Sequence, residues 1–324
     1  MDATESESKG QNHFLQFKGD KKPLARIVTR NLLLTLLTLG IYRFWARTNV
    51  RDYLWGNFTV LGEPFEYSGR GLELLLGFLV VMATIFFPWA MLTTAADIFD
   101  GYQFVGGFDN FSYAVGLVAA LVLASVGSYR ARGFRLSRTS WRGVRASQRG
   151  SSAVYGIWLA GLTIAKFVSF GLITPKANAY LWRYRYDNTM FGDARFHVTD
   201  KSVRGLIIGF AVAYVFALPT LFLSLIWYKA HEYRTLVGRI SFRDAKFQFD
   251  ATGWDLLRLS SGNILIYGLT LGLGAPFAQR RRAQFVADHL SVIGSMNVDS
   301  VRQSLSDTPT LGEGLVDALG IGTV

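Results

Sequence analysis

No cysteine occurs among the 324 residues, which excludes disulfides, thiol chemistry and cysteine-ligated metals in one observation. Charge is also scarce: 18% of the residues are charged, below the quarter usual for soluble domains, while 50% are apolar. Few acidic residues fall within the apolar runs, so the relay of buried carboxylates that marks a coupled pump is not evident. The four histidines, His13, His197, His231 and His289, are scattered. His231-Glu232 lacks the second histidine that a zinc helix carries four residues on. The glycines from Gly268 to Gly274 lack the Lys-Ser/Thr of a phosphate loop, and no Gly-x-Ser-x-Gly elbow is found. The expectation is a protein with no metal, no cofactor and no catalytic residues, and not an enzyme.

What is present is long apolar sequence. The first twelve residues are polar and carry no apolar h-region, so no cleavable signal peptide is expected, and insertion would begin with the hydrophobic helices. A net charge of +11 would suggest nucleic acid in a soluble chain, but here the basic residues sit between apolar runs and orient the protein in a bilayer. From Arg130 to Arg149 there are seven arginines and no acid, whereas Ala95–Asn110 holds Asp97, Asp100 and Asp109 and no base. The basic stretch is therefore placed on the cytoplasmic side and the acidic one outside. Leu72–Thr94 and Phe111–Tyr129 join them as an expected transmembrane hairpin.

One phrase recurs along the chain. Asn31-Leu-Leu-Leu-Thr-Leu-Leu-Thr-Leu-Gly40 returns as Asn263-Ile-Leu-Ile-Tyr-Gly-Leu-Thr-Leu-Gly272, and a middle copy ends at Gly171. The shift from Gly40 to Gly171 also superposes Ala46 on Ala177, Tyr53 on Tyr184, Asn57 on Asn188 and Phe65 on Phe196. The first and last phrases supply about a dozen apolar residues each, short of the roughly 20 of a spanning helix, and their flanks are basic. A re-entrant path is expected for the first. Lys166, inside Tyr155–Ile173, must snorkel, pair or face a cavity. Gly205–Tyr228 is long enough to span, with Pro219 as a kink or as the turn of a short hairpin. The expected total is about four to six passes. Short β segments follow each copy, at Asn57–Tyr67, Asn188–Val198 and Ile240–Phe249.

The expected fold class is thus a mainly α-helical polytopic membrane protein with three related repeats, short or re-entrant helices and small cytoplasmic β segments. Its expected divisions are a polar segment 1–22, a first repeat with the transmembrane hairpin at 23–130, a second repeat at 131–239, a third at 240–297 and a tail at 298–324. Candidate site residues are few. Asn31 and Asn263 hold the same place in two repeats, and an amide near hydrocarbon needs a partner. The plain reading is a hydrogen bond to a helix or a cap; the sharper one is a polar contact to cargo at the repeat interface. Arg138, Trp141, Arg142 and Arg145 are candidate contacts to an anionic lipid, beside their simpler role as a topogenic signal.

Leu36-Leu-Thr-Leu-Gly-Ile-Tyr-Arg-Phe-Trp-Ala46, Tyr53-Leu-Trp-Gly-Asn57, Phe134-Arg-Leu-Ser-Arg-Thr-Ser-Trp-Arg-Gly-Val144 and Leu269-Thr-Leu-Gly-Leu-Gly-Ala-Pro276 together resemble the YjgN-like family of bacterial inner-membrane proteins of unknown function. The resemblance implies a multi-pass inner-membrane location and supplies no substrate or catalytic residue. The middle phrase, Phe170-Gly-Leu-Ile-Thr-Pro175, departs from the pattern. Two readings of function follow: passage of a small solute or lipid, or a non-catalytic scaffold or regulator that binds anionic lipid and an envelope partner. Membrane lipids, anionic ones foremost, are the expected partners and nucleic acid is not.

Overall fold

The computed structural model describes residues 14–91, 94, 108–294 and 301. The elements fall into five consecutive units of two helices followed by strands; in four of them the two helices pack across a turn, and a β-hairpin follows all but the last. After β1 (Leu15–Phe17), the first unit comprises α1 (Lys21–Leu37), α2 (Arg43–Gly56), β2 (Phe58–Val60) and β3 (Glu63–Pro64), and β4 (Glu66–Tyr67) follows it. The second has α3 (Gly71–Val81), which runs on through a π-helical turn at Met82–Phe86, then α4 (Phe108–Ser137), β5 (Thr139–Trp141) and β6 (Val144–Gln148). Next come α5 (Ser152–Val168), α6 (Thr174–Asp187), β7 (Thr189–Phe191) and β8 (Ala194–Val198). The fourth unit is α7 (Arg204–Val215), α8 (Leu223–Val237), β9 (Ile240–Phe242) and β10 (Ala245–Phe249), and the fifth α9 (Gly253–Leu269), α10 (Ala275–His289) and β11 (Leu290–Ile293).

The repeated Thr-Leu-Gly phrase is the turn at the helical tip. Leu39, Phe170, Leu221 and Leu271 all take φ of 48–51°, and each is followed by a second left-handed residue, Gly40, Gly171, Phe222 or Gly272. Glycine carries no Cβ penalty there. The amide of that second residue closes on the carbonyl five positions back, at 2.6–2.9 Å. Two residues ahead of it stand Thr38, Ser169, Thr220 and Thr270, whose hydroxyls accept the amide of the residue four positions on, at 2.7–3.4 Å. This ends the first helix and starts the second, satisfying groups that a helix terminus leaves unpaired. Pro175 and Pro276 then occupy the first turn of α6 and α10, where a missing N–H costs nothing.

Strands β4 to β11 pair in chain order as one eight-stranded antiparallel sheet, and β1, β2 and β3 form a smaller one. The tight turns Arg142-Gly143, Gly192-Asp193 and Arg243-Asp244 join strands within each unit, while helical pairs join β4 to β5, β6 to β7, β8 to β9 and β10 to β11. In an antiparallel meander this alternation puts every helical pair at one end of the strands and every tight turn at the other. The two ends of the array also meet. Ala283 and Ala287 of α10 share a core with Leu15, Phe17, Leu24, Val50, Leu54 and Val60, Leu290 of β11 packs on the same cluster, and Arg280 Nε donates to the Gly19 carbonyl at 2.7 Å.

The expected mainly α-helical polytopic fold is corrected by this architecture. Among the described residues one helical segment, Ala114–Ser137, is long and apolar enough to cross a bilayer; Gly71–Val81, Ser152–Val168 and Arg204–Val215 are apolar but shorter. The left-handed turns divide the other apolar runs into short helices. Nor are the β segments small and separate, because from β4 onward the strands pair with those of the neighbouring units and add up to a continuous eight-stranded sheet. Gly205–Tyr228 is a hairpin with Pro219 in its turn. The stretch 131–239 holds two helical pairs, the second of which has Phe222 where the other tips have glycine. Asp97, Asp100, His13 and residues 302–324 lie outside the described residues.

Candidate functional site

The first and fourth helical pairs each open a cavity between their two helices, and the residues at the equivalent place differ from pair to pair. In the first pair Ile27, Arg30, Asn31, Tyr42, Asn49, Asp52 and Tyr53 line a cavity of about 340 Å³. Asn31 is buried on α1. Its Nδ2 donates to the Ala46 carbonyl at 3.2 Å, and its Oδ1 accepts from Asn49 Nδ2 at 3.0 Å. Asn49 Nδ2 also lies 3.4 Å from the Tyr42 hydroxyl. Arg30 and Asp52 are exposed at the cleft, and neither has an ion-pair partner among the described residues.

The fourth unit carries the same cleft 182 positions later, with Gly209, Val212, Ala213, Ser224 and His231 in the places of Ile27, Arg30, Asn31, Tyr42 and Asn49. Together with Phe216, Leu223 and Trp227 they line an apolar opening of about 580 Å³. In the third pair the corresponding Trp158 and Tyr180 rings pack in a tilted arrangement with centroids 5.0 Å apart. In the fifth, Arg281 stands where Asn49 does, packs on Gly262, and donates to Asn263 Oδ1 at 3.1 Å and to the Arg258 carbonyl at 3.1 Å. Asn31 and Asn263 therefore occupy equivalent places, but each is bonded inside its own helical pair; among the described residues no hydrogen bond joins them.

A second polar group lies between the third and fourth units. Glu232 of α8 is 1% exposed. Its Oε1 accepts from Asn178 Nδ2 at 2.7 Å and from the Tyr228 hydroxyl at 3.4 Å, and its Oε2 meets Lys229 Nζ at 2.6 Å. Lys166 donates to Asn178 Oδ1 at 2.7 Å. The lysine that the sequence leaves in an apolar run is thus tied through an amide to a buried carboxylate on the next unit. Sequence reasoning singled out Lys166 alone, because Asn178 and Glu232 lie 12 and 66 positions further on in unremarkable surroundings.

The arginine stretch is not without acids once folded. Arg138 pairs with Glu73 at 2.9 Å, and Arg142 is bidentate to Glu63 at 2.8 and 3.0 Å while lying over the Trp141 ring. The Arg142 hydrogen bond holds the Glu63 carboxyl below the usual carboxylate range. Trp141 is buried in the core cluster with its indole N–H on the Glu63 carbonyl at 3.2 Å. Arg145 is exposed on β6. Trp141, Arg142 and Arg145 lie in the β5–β6 hairpin, whereas Arg138 stands between α4 and β5, against the first turn of α3.

A family model described as "Bacterial protein of unknown function (DUF898)" matches residues 12–219 and 200–318. The chain belongs to this family. It is also similar to proteins named Inner membrane protein YjgN: 38% identical over 76 residues to that of Salmonella typhimurium (strain LT2), covering 24% of this chain and 19% of the relative, and 29% over 164 residues to that of Escherichia coli O157:H7, covering 50% and 37%. A third, from Escherichia coli K12, is 35% identical over 88 residues, 27% of this chain and 21% of the relative. The matched segments span well under half the length of these relatives. No solved structure matches the chain.

Proposed function

We propose that this protein is a non-catalytic scaffold of the bacterial inner membrane that seats itself through a row of apolar helical tips in one leaflet, beside the deeper α3–α4 pair. The carrying observation is the exposure of the tips: Leu39 is 94%, Phe170 82%, Leu221 82% and Leu271 92% exposed, the last three on turns at one end of the eight-stranded sheet and Leu39 on the equivalent turn of the first helical pair. Left in water these side chains gain nothing, whereas burial in hydrocarbon is worth about 1.5–3 kcal/mol each. Helix α4, at 30 residues, extends about 45 Å and outreaches the 17-residue α1 by roughly 20 Å. Its long apolar stretch suits a crossing; the shorter pairs suit insertion into one leaflet. The name carried by the relatives supports the inner membrane. Arg142 and Arg243 in the tight turns favour a cytoplasmic sheet. Passage of a solute has less support: the two cavities described above each lie within a single helical pair.

The absence of native cysteine makes the test clean. Single Leu39→Cys, Phe170→Cys, Leu221→Cys and Leu271→Cys variants would carry an environment-sensitive fluorophore in reconstituted vesicles. Quenching by lipids brominated high on the acyl chain, with protection from aqueous iodide, is expected at all four tips. Iodide access at most of them would overturn the reading.

A further inference from the structure

We infer that the cleft of the first helical pair is a headgroup site for a zwitterionic phosphoethanolamine lipid, an assignment that rests on the membrane-seated reading above. The cleft combines opposite charges at one opening, the Arg30 guanidinium and the Asp52 carboxylate. Beside them lies the Tyr42 hydroxyl, which accepts from Asn49 Nδ2 and keeps its own proton to donate. A guanidinium presents a planar donor fork suited to phosphate oxygens, and a carboxylate accepts from an ammonium. A headgroup with phosphate and ammonium two carbons apart offers both partners at once. A purely anionic headgroup leaves Asp52 facing like charge, and a quaternary choline offers it no N–H to accept.

Position favours a lipid over a soluble ligand. Arg30 lies seven residues before the end of α1 at Leu37, roughly 10 Å along the helix axis from the apolar tip, and this sets the cleft at headgroup level when Leu37 and Leu39 enter hydrocarbon. The cavity, about 340 Å³, falls at the small end of the ligand-pocket range of about 300–1,000 Å³, as a headgroup requires. Comparison across the units isolates the feature. The places of Arg30 are taken by Gly161, Val212 and Gly262, and those of Asp52 by Arg183, Arg234 and Gln284, so opposite charges occupy these two positions in the first unit alone of the four short pairs. Arg30 and Asp52 are also exposed and unpaired among the described residues. An arginine and an aspartate held so close to an apolar tip with no internal partner fit a ligand that supplies both counter-charges.

Native mass spectrometry of the delipidated full chain in detergent, doped in turn with dioleoyl phosphatidylethanolamine, phosphatidylglycerol and phosphatidylcholine, tests the assignment. The expected result is preferential retention of phosphatidylethanolamine, reduced about tenfold or more by Arg30→Gln and by Asp52→Asn, as loss of one charge-assisted contact implies. Both residues are exposed, so unchanged thermal unfolding of the two variants serves as the folding control. Equal retention of phosphatidylglycerol with no response to Asp52→Asn would overturn the zwitterionic assignment. Equally tight binding of free phosphoethanolamine, measured by calorimetry, would overturn the lipid as its source. The tip-quenching experiment, repeated on the Arg30→Gln and Asp52→Asn backgrounds, separates the two proposals: inserted tips without headgroup preference sink the site and leave the scaffold reading standing, whereas tips open to iodide sink the scaffold reading itself.

Discussion

Asn178 bridges two helical pairs: its Nδ2 donates to Glu232 Oε1 at 2.7 Å while its Oδ1 accepts from Lys166 Nζ at 2.7 Å. The amide passes the buried negative charge of one unit to the ammonium of another, and Lys229 closes the other side of the carboxylate at 2.6 Å. Removing one member of a buried charged group leaves the rest uncompensated, at a typical cost of about 3–5 kcal/mol. Glu232→Leu is expected to lower the detergent unfolding midpoint sharply. Asn178→Leu should do so by a similar amount, and the double variant should lose clearly less than the sum, because both act on one network. Additive losses in thermal melts would show that the two units are held together by other contacts.

The four tips differ in a way that predicts opposite signs for similar substitutions. Phe222 stands at φ 65° where the other tips have Gly40 at φ 91°, Gly171 at φ 86° and Gly272 at φ 87°. A left-handed backbone costs a residue with a Cβ roughly 1–2 kcal/mol. Phe222→Gly is expected to stabilise the solubilised protein by about 1 kcal/mol, whereas Gly40→Ala and Gly272→Ala should each destabilise it by a similar amount. A Cβ at Gly40 or Gly272 would meet no atom within 4 Å, so the penalty would be conformational and not steric. Urea or thermal unfolding of the three variants checks the signs, and a stabilising Gly40→Ala would contradict the account.

Acid should loosen the start of α9. Thr252 caps this helix and forms a capping box with Asp255: the Thr252 hydroxyl and amide donate to Asp255 Oδ2 at 2.6 and 2.9 Å. The side-chain hydrogen bond from Thr252 is the foremost cause of a depressed Asp255 carboxyl; the backbone bond adds to it, slight burial opposes it, and His289 and Arg258 lower it further. A carboxyl with a depressed folded pKa contributes stability that is present above its unfolded value, about 3.9, and is lost as pH falls through the folded one. Protection of the Asp255 and Leu256 amides, relative to their intrinsic exchange rates, is therefore expected to fall on acidification below about pH 4. Asp255→Asn should abolish that pH step, and Thr252→Ala should weaken the helix start by about 1 kcal/mol at neutral pH. Protection that stays flat through the acid range would contradict it.

Much of this molecule is written locally. The Thr-Leu-Gly phrase fixes a tip because a threonine hydroxyl, an exposed leucine and a glycine that tolerates positive φ are all that the turn needs, and these lie within three consecutive residues. The same local logic makes Tyr53 and Tyr184 equivalent: each hydroxyl donates to the carbonyl just before the first helix of its pair, at Asp20 or Ser151. The fourth tip does not carry the phrase, because Phe222 replaces glycine. Its signal was Thr220, together with Trp227 and Gly253 at the same 26-residue spacing as Trp45 and Gly71, which pack as close pairs in both units.

The sequence by itself determined the composition class, the recurring helical tips and the apolar character that every tip presents. Tertiary structure decided what those parts become. Strands of two to five residues carry too little pattern to name their partners, so the joining of Ala146 to Phe191, or of His197 to Ser241, into one eight-stranded sheet follows from the stacking of whole units. The same holds for Arg142 against Glu63 and for Lys166 against Glu232 through Asn178: charges that are unmatched along the chain are paired across it, because the fold brings together residues 79 and 66 positions apart.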